Sequence, residues 1–111
     1  MCNVYVIIPV YNVAPYLERC LNSLLKQTYS ALQIVLVNDG STDSSPAICD
    51  KYAAKYAKIN VIHQRNSGVS AARNAGLSYC SSCAHEGDYV TFVDGDDYIA
   101  PRCIEYAVKL C

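Results

Sequence analysis

No run of this 111-residue sequence is long and apolar enough to cross a bilayer. The longest apolar run, residues 4–10, has the length of a strand and contains Pro9. A membrane helix needs about 20 apolar residues. The N-terminus has neither the positively charged stretch nor the small-residue cleavage site of a secretory signal, so the expected location is the cytoplasm. Strong charge is missing too. Nine Lys and Arg against ten Asp and Glu give a formal net charge of −1, and the basic residues are scattered singly. That excludes the basic stripe by which a chain binds nucleic acid. No internal repeat, low-complexity tract or linker divides the chain, so residues 1–111 are expected to form one domain. A P-loop and a G-x-G-x-x-G fingerprint are both absent. Any nucleotide must therefore be held by another device.

Histidine is scarce, with only His63 and His85, and this bears on the seven cysteines. Cys80-Ser-Ser-Cys83 has C-x-x-C spacing, but a zinc site would want a second pair or several histidines nearby. A thioredoxin-like motif would open a helix after a strand, and this one closes a helix. The cysteines read as reduced, mostly buried thiols acting as small hydrophobes.

Apolar residues make up 52% of the chain, enough for a core. Four short Val- and Ile-rich or aromatic runs read as buried strands: residues 3–8, 33–37, 60–63 and 89–93. Pro9 is expected to break the first. Between them lie helical patterns. After Pro15, the residues Leu17, Cys20, Leu21, Leu24 and Leu25 form an amphipathic stripe. Ser44 or Ser45 can cap a second helix with Pro46 in its first turn, striped by Ile48, Cys49, Tyr52, Ala53 and Tyr56. A third runs over about residues 70–79, and a last one is expected from Pro101 onward. Strand–helix alternation with such strands implies an α/β fold, a parallel sheet covered on both faces.

In such a sheet, ligands bind beyond the carboxyl ends of the strands, where strand order reverses. Three loops at those ends carry unusual residues: Pro9-Val10-Tyr11-Asn12, Asn38-Asp39-Gly40-Ser41-Thr42-Asp43 and Asp94-Gly95-Asp96-Asp97. The segment from Cys80 to Gly87 opens at the opposite edge. Each loop also has a plain structural reading. Asp39-Gly40-Ser41 is a common turn, Asp43 can cap a helix, and Asp94 to Asp97 can be a solvated turn. Arg73, in GVSAARNAG, can be an exposed charge. The acids matter most. Two carboxylates about 5 Å apart repel by ~0.8 kcal/mol in water but ~3 kcal/mol at an effective dielectric of about 20. Inside a cleft they would need a cation between them. Hard oxygen ligands suit Mg²⁺ or Mn²⁺, and one or two carboxylates leave coordination positions for phosphates.

Four stretches together, VYVIIPVYNVAPYLERCLNSLLKQTY, QIVLVNDGSTDSS, NSGVSAARNAGL and GDYVTFVDGDDYI, strongly resemble the N-terminal half of a family 2 glycosyltransferase. The resemblance covers nearly the whole chain. It implies a Rossmann-like GT-A nucleotide-binding half, a mostly parallel four-stranded sheet of order 3-2-1-4 with helices on both faces. The implied donor is a nucleotide-diphosphate sugar, usually a UDP-sugar. Pro9 and Tyr11 would border the nucleotide, and Asp39 would recognise the base through its ring N–H. Asp94 and Asp96 would be the D-x-D pair holding Mn²⁺ or Mg²⁺, Asp96 as the direct ligand and Asp94 nearer the ribose. Arg73 would organise the diphosphate region.

The implied reaction is inverting transfer to a glycan or lipid-linked acceptor, and such enzymes often work at the inner face of the membrane. Asn38 stands where many relatives have an aspartate. The acceptor-binding half and its general base follow in relatives, so no catalytic residue is assigned here and the 111-residue chain alone is expected to lack transfer activity. The outer edge of the fourth strand would be unpaired and prone to self-association. The competing reading is a non-catalytic nucleotide- or partner-binding module on the same scaffold.

Overall fold

The computed structural model describes residues 3–28, 31–84 and 88–96. Within them strand and helix alternate: β1 (Val4–Val10), α1 (Ala14–Leu25), β2 (Leu32–Asp39), α2 (Ser45–Lys55), β3 (Ile59–Gln64), α3 (Val69–Cys83) and β4 (Tyr89–Phe92). The strands run parallel in the order β3-β2-β1-β4, which is the 3-2-1-4 order implied by the resemblance. The helix expected from Pro101 onward lies outside the described residues.

The pleat sorts β1 onto two cores. Val4, Val6, Ile8 and Val10 face α1 and α2, meeting Leu17, Cys20, Leu21, Leu24 and Cys49. Tyr5 and Ile7 face the other way, with Val35 and Val37 of β2, against Ala72 and Cys80 of α3. Each fully buried Leu, Ile or Val contributes about 1.5–3 kcal/mol of transfer free energy. The central pair β1 and β2 thus anchors the layers and makes the loops at its carboxyl end a rigid platform.

Several boundaries differ from the sequence-based expectations. Pro9 does not break β1, which continues to Val10 with Pro9 opposite Val37. Val93 N–H donates to Ile7 O, so the odd residues of β1 turn their backbone polar groups toward β4. The β1–β4 register ends at Ile7 and Phe92, and Pro9 therefore faces no strand that would need its missing N–H.

Helix α3 runs on to Cys83 because its buried stripe, Ala72, Gly76 and Cys80, keeps helical spacing past Tyr79. Neither Ser44 nor Ser45 caps α2 with its side chain; Ser45 N–H donates instead to Asp43 Oδ1 at 2.8 Å. β4 is also less buried than its composition suggests, with Tyr89, Val90 and Phe92 between 37% and 41% exposed. Among the described residues it is an edge strand, as is β3, and apolar sequence alone does not show which side of a strand lacks a neighbour.

Candidate functional site

Strand alternation separates the last two residues of β2. Asn38 turns toward His63: its Nδ2 meets His63 Nδ1 at 3.0 Å, while its Oδ1 accepts Ser41 N–H at 3.1 Å. His63 Nε2 in turn pairs with Asp50 at 2.8 Å. Asp39 points the opposite way and is 4% exposed. Its Oδ1 accepts from Gln64 Nε2 at 2.9 Å and Ser67 N–H at 2.8 Å, and its Oδ2 accepts from Gly68 N–H at 2.9 Å. Burial pushes this carboxyl up. The hydrogen bonds from Gln64, Ser67 and Gly68 outweigh burial and hold it below the usual aspartate range. Gly40 follows at φ +70, and a Cβ there would stand 2.6 Å from Asn66 N. Glycine is required for both the backbone and the space. Asp39 and Gly40 therefore lock the β2–α2 loop onto the β3–α3 loop.

A second lock joins that loop to the one after β1. Asn12, at φ 50, accepts Thr42 N–H at 2.8 Å on its Oδ1, and its own N–H donates to Ser41 Oγ at 3.1 Å. Asp43 Oδ2 accepts Ala14 N–H at 3.1 Å, and Ser45 Oγ accepts Val13 N–H at 3.2 Å. The first turn of α1 is thus capped from the neighbouring loop. Partial burial pushes Asp43 up, but its bonds from Ser45 and Ala14 leave it below the usual range. Helix α1 has no cap from its own sequence, so the shape of the Tyr11 loop depends on residues about thirty positions away.

The acidic turn after β4 closes the third side. Its backbone is tied to α1: Cys20 Sγ donates to Asp94 O at 3.6 Å and Arg19 Nη2 to Asp96 O at 3.3 Å. Gly95 is buried, and a Cβ there would lie 2.9 Å from Val13 Cγ2 and 3.5 Å from Pro9 O. The glycine lets the turn press against the end of β1. Asp94 and Asp96 both line the crevice.

A cavity of about 470 Å³ opens where strand order reverses between β1 and β4. Pro9, Tyr11, Asp39, Asp94 and Asp96 all line it, together with Asn66 and Gly68. Tyr11 is 51% exposed and offers a ring face. Arg73 stands just behind. Its Nη2 is 3.9 Å from Asp94 Oδ1, its guanidinium lies 5.8 Å from the Phe92 ring centroid, and its Nε is buried without a hydrogen-bond partner among the described residues. The carbonyl tethers on Asp94 and Asp96 leave the carboxylate oxygens available, and a hard cation fits that donor set. Among the described residues no third His, Cys, Asp or Glu joins them, so phosphates and waters would complete the coordination.

The structure brings Pro9, Tyr11, Asp39, Asp94 and Asp96 to one rim, with Arg73 beside Asp94, while Asp97 lies outside the described residues. It also gives Asn12, Ser41 and Asp43, which the sequence marks only as loop or capping residues, the role of loop locks, and it adds Asn66 to the wall. Asparagine's tolerance of positive φ is the one signal the sequence carries for Asn12, whose partners are non-local. Among the described residues Cys20, Cys49, Cys80 and Cys83 form no disulfide, the first three are buried, and burial with the neighbouring Asp50 pushes Cys49 up to about 12. Among the described residues, no helix is long and apolar enough to cross a membrane.

Known proteins share this fold. The sequence pattern described as glycosyl transferase family 2 matches residues 5–111. EpsJ, a glycosyltransferase of Bacillus subtilis (strain 168), is 50% identical over 97 residues, which is 87% of this chain and 27% of that protein. The structure of S. aureus TarS 1–349 in complex with UDP-GlcNAc matches with a TM-score of 0.82 at 36% identity, covering 96% of this chain and 30% of that one. The mannosyltransferase PcManGT from Pyrobaculum calidifontis, in complex with GDP-Man and Mn2+, matches with a TM-score of 0.74 at 28% identity, covering 86% and 28%. The chain spans roughly 27–30% of the length of these matched chains. The chain belongs to glycosyltransferase family 2, with the GT-A-like α/β fold of its relatives.

Proposed function

We propose that this chain forms the donor-binding part of an inverting glycosyltransferase that uses a nucleotide-diphosphate sugar, a UDP-sugar in the first instance, with a glycan or lipid-linked acceptor. The observation that carries this reading is the convergence of Asp39, Tyr11, Asp94 and Asp96 on one cavity at the sheet's reversal point. The UDP-GlcNAc held by TarS supports the donor class, and the Mn2+ held by PcManGT supports the metal.

Each residue has a role its surroundings suit. Among the described residues Asp39 Oδ2 accepts one backbone N–H, from Gly68, which leaves a lone pair for a ring N–H of the base. Tyr11 lays its ring along the nucleotide, and Pro9 bounds it. Asp94 and Asp96 would hold Mn²⁺ or Mg²⁺, which when bound neutralises the charge developing on the departing diphosphate. Arg73 adds a second positive group, its side chain 42% exposed beside Asp94.

Calorimetric titration of the chain with UDP, with and without Mn²⁺, tests the reading. UDP is expected to bind only with the metal. Asp96→Ala is expected to weaken binding roughly tenfold or more, the size of a lost charge-assisted contact. Binding indifferent to both Mn²⁺ and Asp96 would instead support a non-catalytic module on the same scaffold.

A further inference from the structure

We propose that Phe92 is a positioning residue for Arg73, its ring holding the guanidinium beside the acidic turn so that the N–H donors stay free for the donor's diphosphate. The proposal rests on the nucleotide-sugar reading and deepens it. Phe92 ends β4 and sits opposite Ile7, whose side chain packs toward α3, so the ring projects onto the α3 face. Gly76 brings α3 down at this point: a Cβ there would lie 2.5 Å from Ile7 Cγ2. Arg73 lies one turn before Gly76 and so comes to rest over the neighbouring strand's Phe92, with its guanidinium carbon 5.8 Å from the ring centroid.

The other contacts of Arg73 are weak. The 3.9 Å approach to Asp94 is too long for a hydrogen bond, and Nε is buried with no acceptor among the described residues. A guanidinium fixed by carboxylates spends its N–H groups on them. One fixed by a ring face spends none, because the attraction runs through the π-system. An arginine so held presents its Nη donors to an incoming anion while its position is already set, which lowers the ordering cost of binding. Phe92 is 41% exposed, so its ring is not spent on the core.

The test uses the 111-residue chain with Mn²⁺ and two probes, UDP and uridine. Phe92→Leu keeps apolar bulk and loses the ring's quadrupole, and Phe92→Tyr keeps both. Phe92→Leu is expected to weaken UDP by about three- to tenfold, the scale of a partly exposed cation–π contact. Uridine binding should stay unchanged, and Phe92→Tyr should behave like the wild type. In an Arg73→Gln background, Phe92→Leu should cost nothing further. An equal loss for UDP and uridine, or the same loss with and without Arg73, would mean a merely structural role and would overturn the proposal.

A readout without ligand separates this from the donor reading. The Arg73 Nε–H resonance should carry a ring-current shift in the wild type and in Phe92→Tyr that vanishes in Phe92→Leu. If the wild type binds no UDP, the donor reading has failed. The shift then decides the placement alone: its loss in Phe92→Leu supports it, and an unshifted wild-type resonance overturns it.

Discussion

Asp39 serves the fold directly, and in the proposed function it serves the ligand too. Its carboxylate gathers Gln64, Ser67 and Gly68. An amide in its place would offer one acceptor and turn an NH₂ toward a backbone donor. Asp39→Asn is therefore expected to destabilise the chain by about 1–3 kcal/mol, the range for stranding a buried donor, read as a lowered urea midpoint near neutral pH. The pH dependence follows from the depressed carboxyl. Its contribution is fully present above the unfolded aspartate value of about 3.9 and is lost as pH falls through the lower folded value. Wild-type stability should drop in that acid window, and Asp39→Asn should show a flatter acid limb. A variant with the wild-type midpoint and acid limb would refute the anchoring role. Composition marks Asp39 as a turn residue and the resemblance marks it as a base reader. Its three donors come from residues 64–68 and are visible only once β3 pairs with β2.

Among the elements, α3 depends most on a single close approach. Gly76 sits where any side chain would strike Ile7 at the centre of the sheet. The glycine lets the helix lie low enough for Ala72 and Cys80 to fill the second core. Gly76→Ala is expected to cost about 1–3 kcal/mol through overpacking, although alanine is the better helix former by about 1 kcal/mol. Denaturant unfolding checks this, and a stabilised variant would show that the packing relaxes freely. Helix stripes such as Leu17, Cys20, Leu21 and Leu24 were legible because burial follows the period of the helix. The ends of elements were less so. Pro9 inside β1 is tolerated only because β4 stops at Phe92, a fact about a partner strand some eighty residues away. The cap of α1 likewise comes from Asp43 and Ser45, and a window of local sequence cannot hold both partners.

For the molecule as a whole, sheet order does the organising. With β1 flanked by β2 and β4, the loops after all three strands meet at one crevice, and the locks through Asn12, Gly40 and Gly95 hold them there. Alternation of strand and helix predicts a parallel sheet. The order 3-2-1-4 came from the resemblance, since periodicity does not say which strands are neighbours. The convergence of Pro9, Tyr11, Asp39, Asp94 and Asp96 follows from that order, and the supporting shell of polar contacts does not. The central claim is that a divalent cation on the turn after β4 joins this chain to a donor diphosphate. X-ray diffraction from crystals grown with UDP and Mn²⁺, recorded at the manganese absorption edge, tests it most directly. The account predicts one anomalous peak within about 2.5 Å of both an Asp94 or Asp96 oxygen and the diphosphate, a distance set by hard-cation coordination. UDP lying in the crevice with no such peak, or the peak appearing away from that turn, would contradict it.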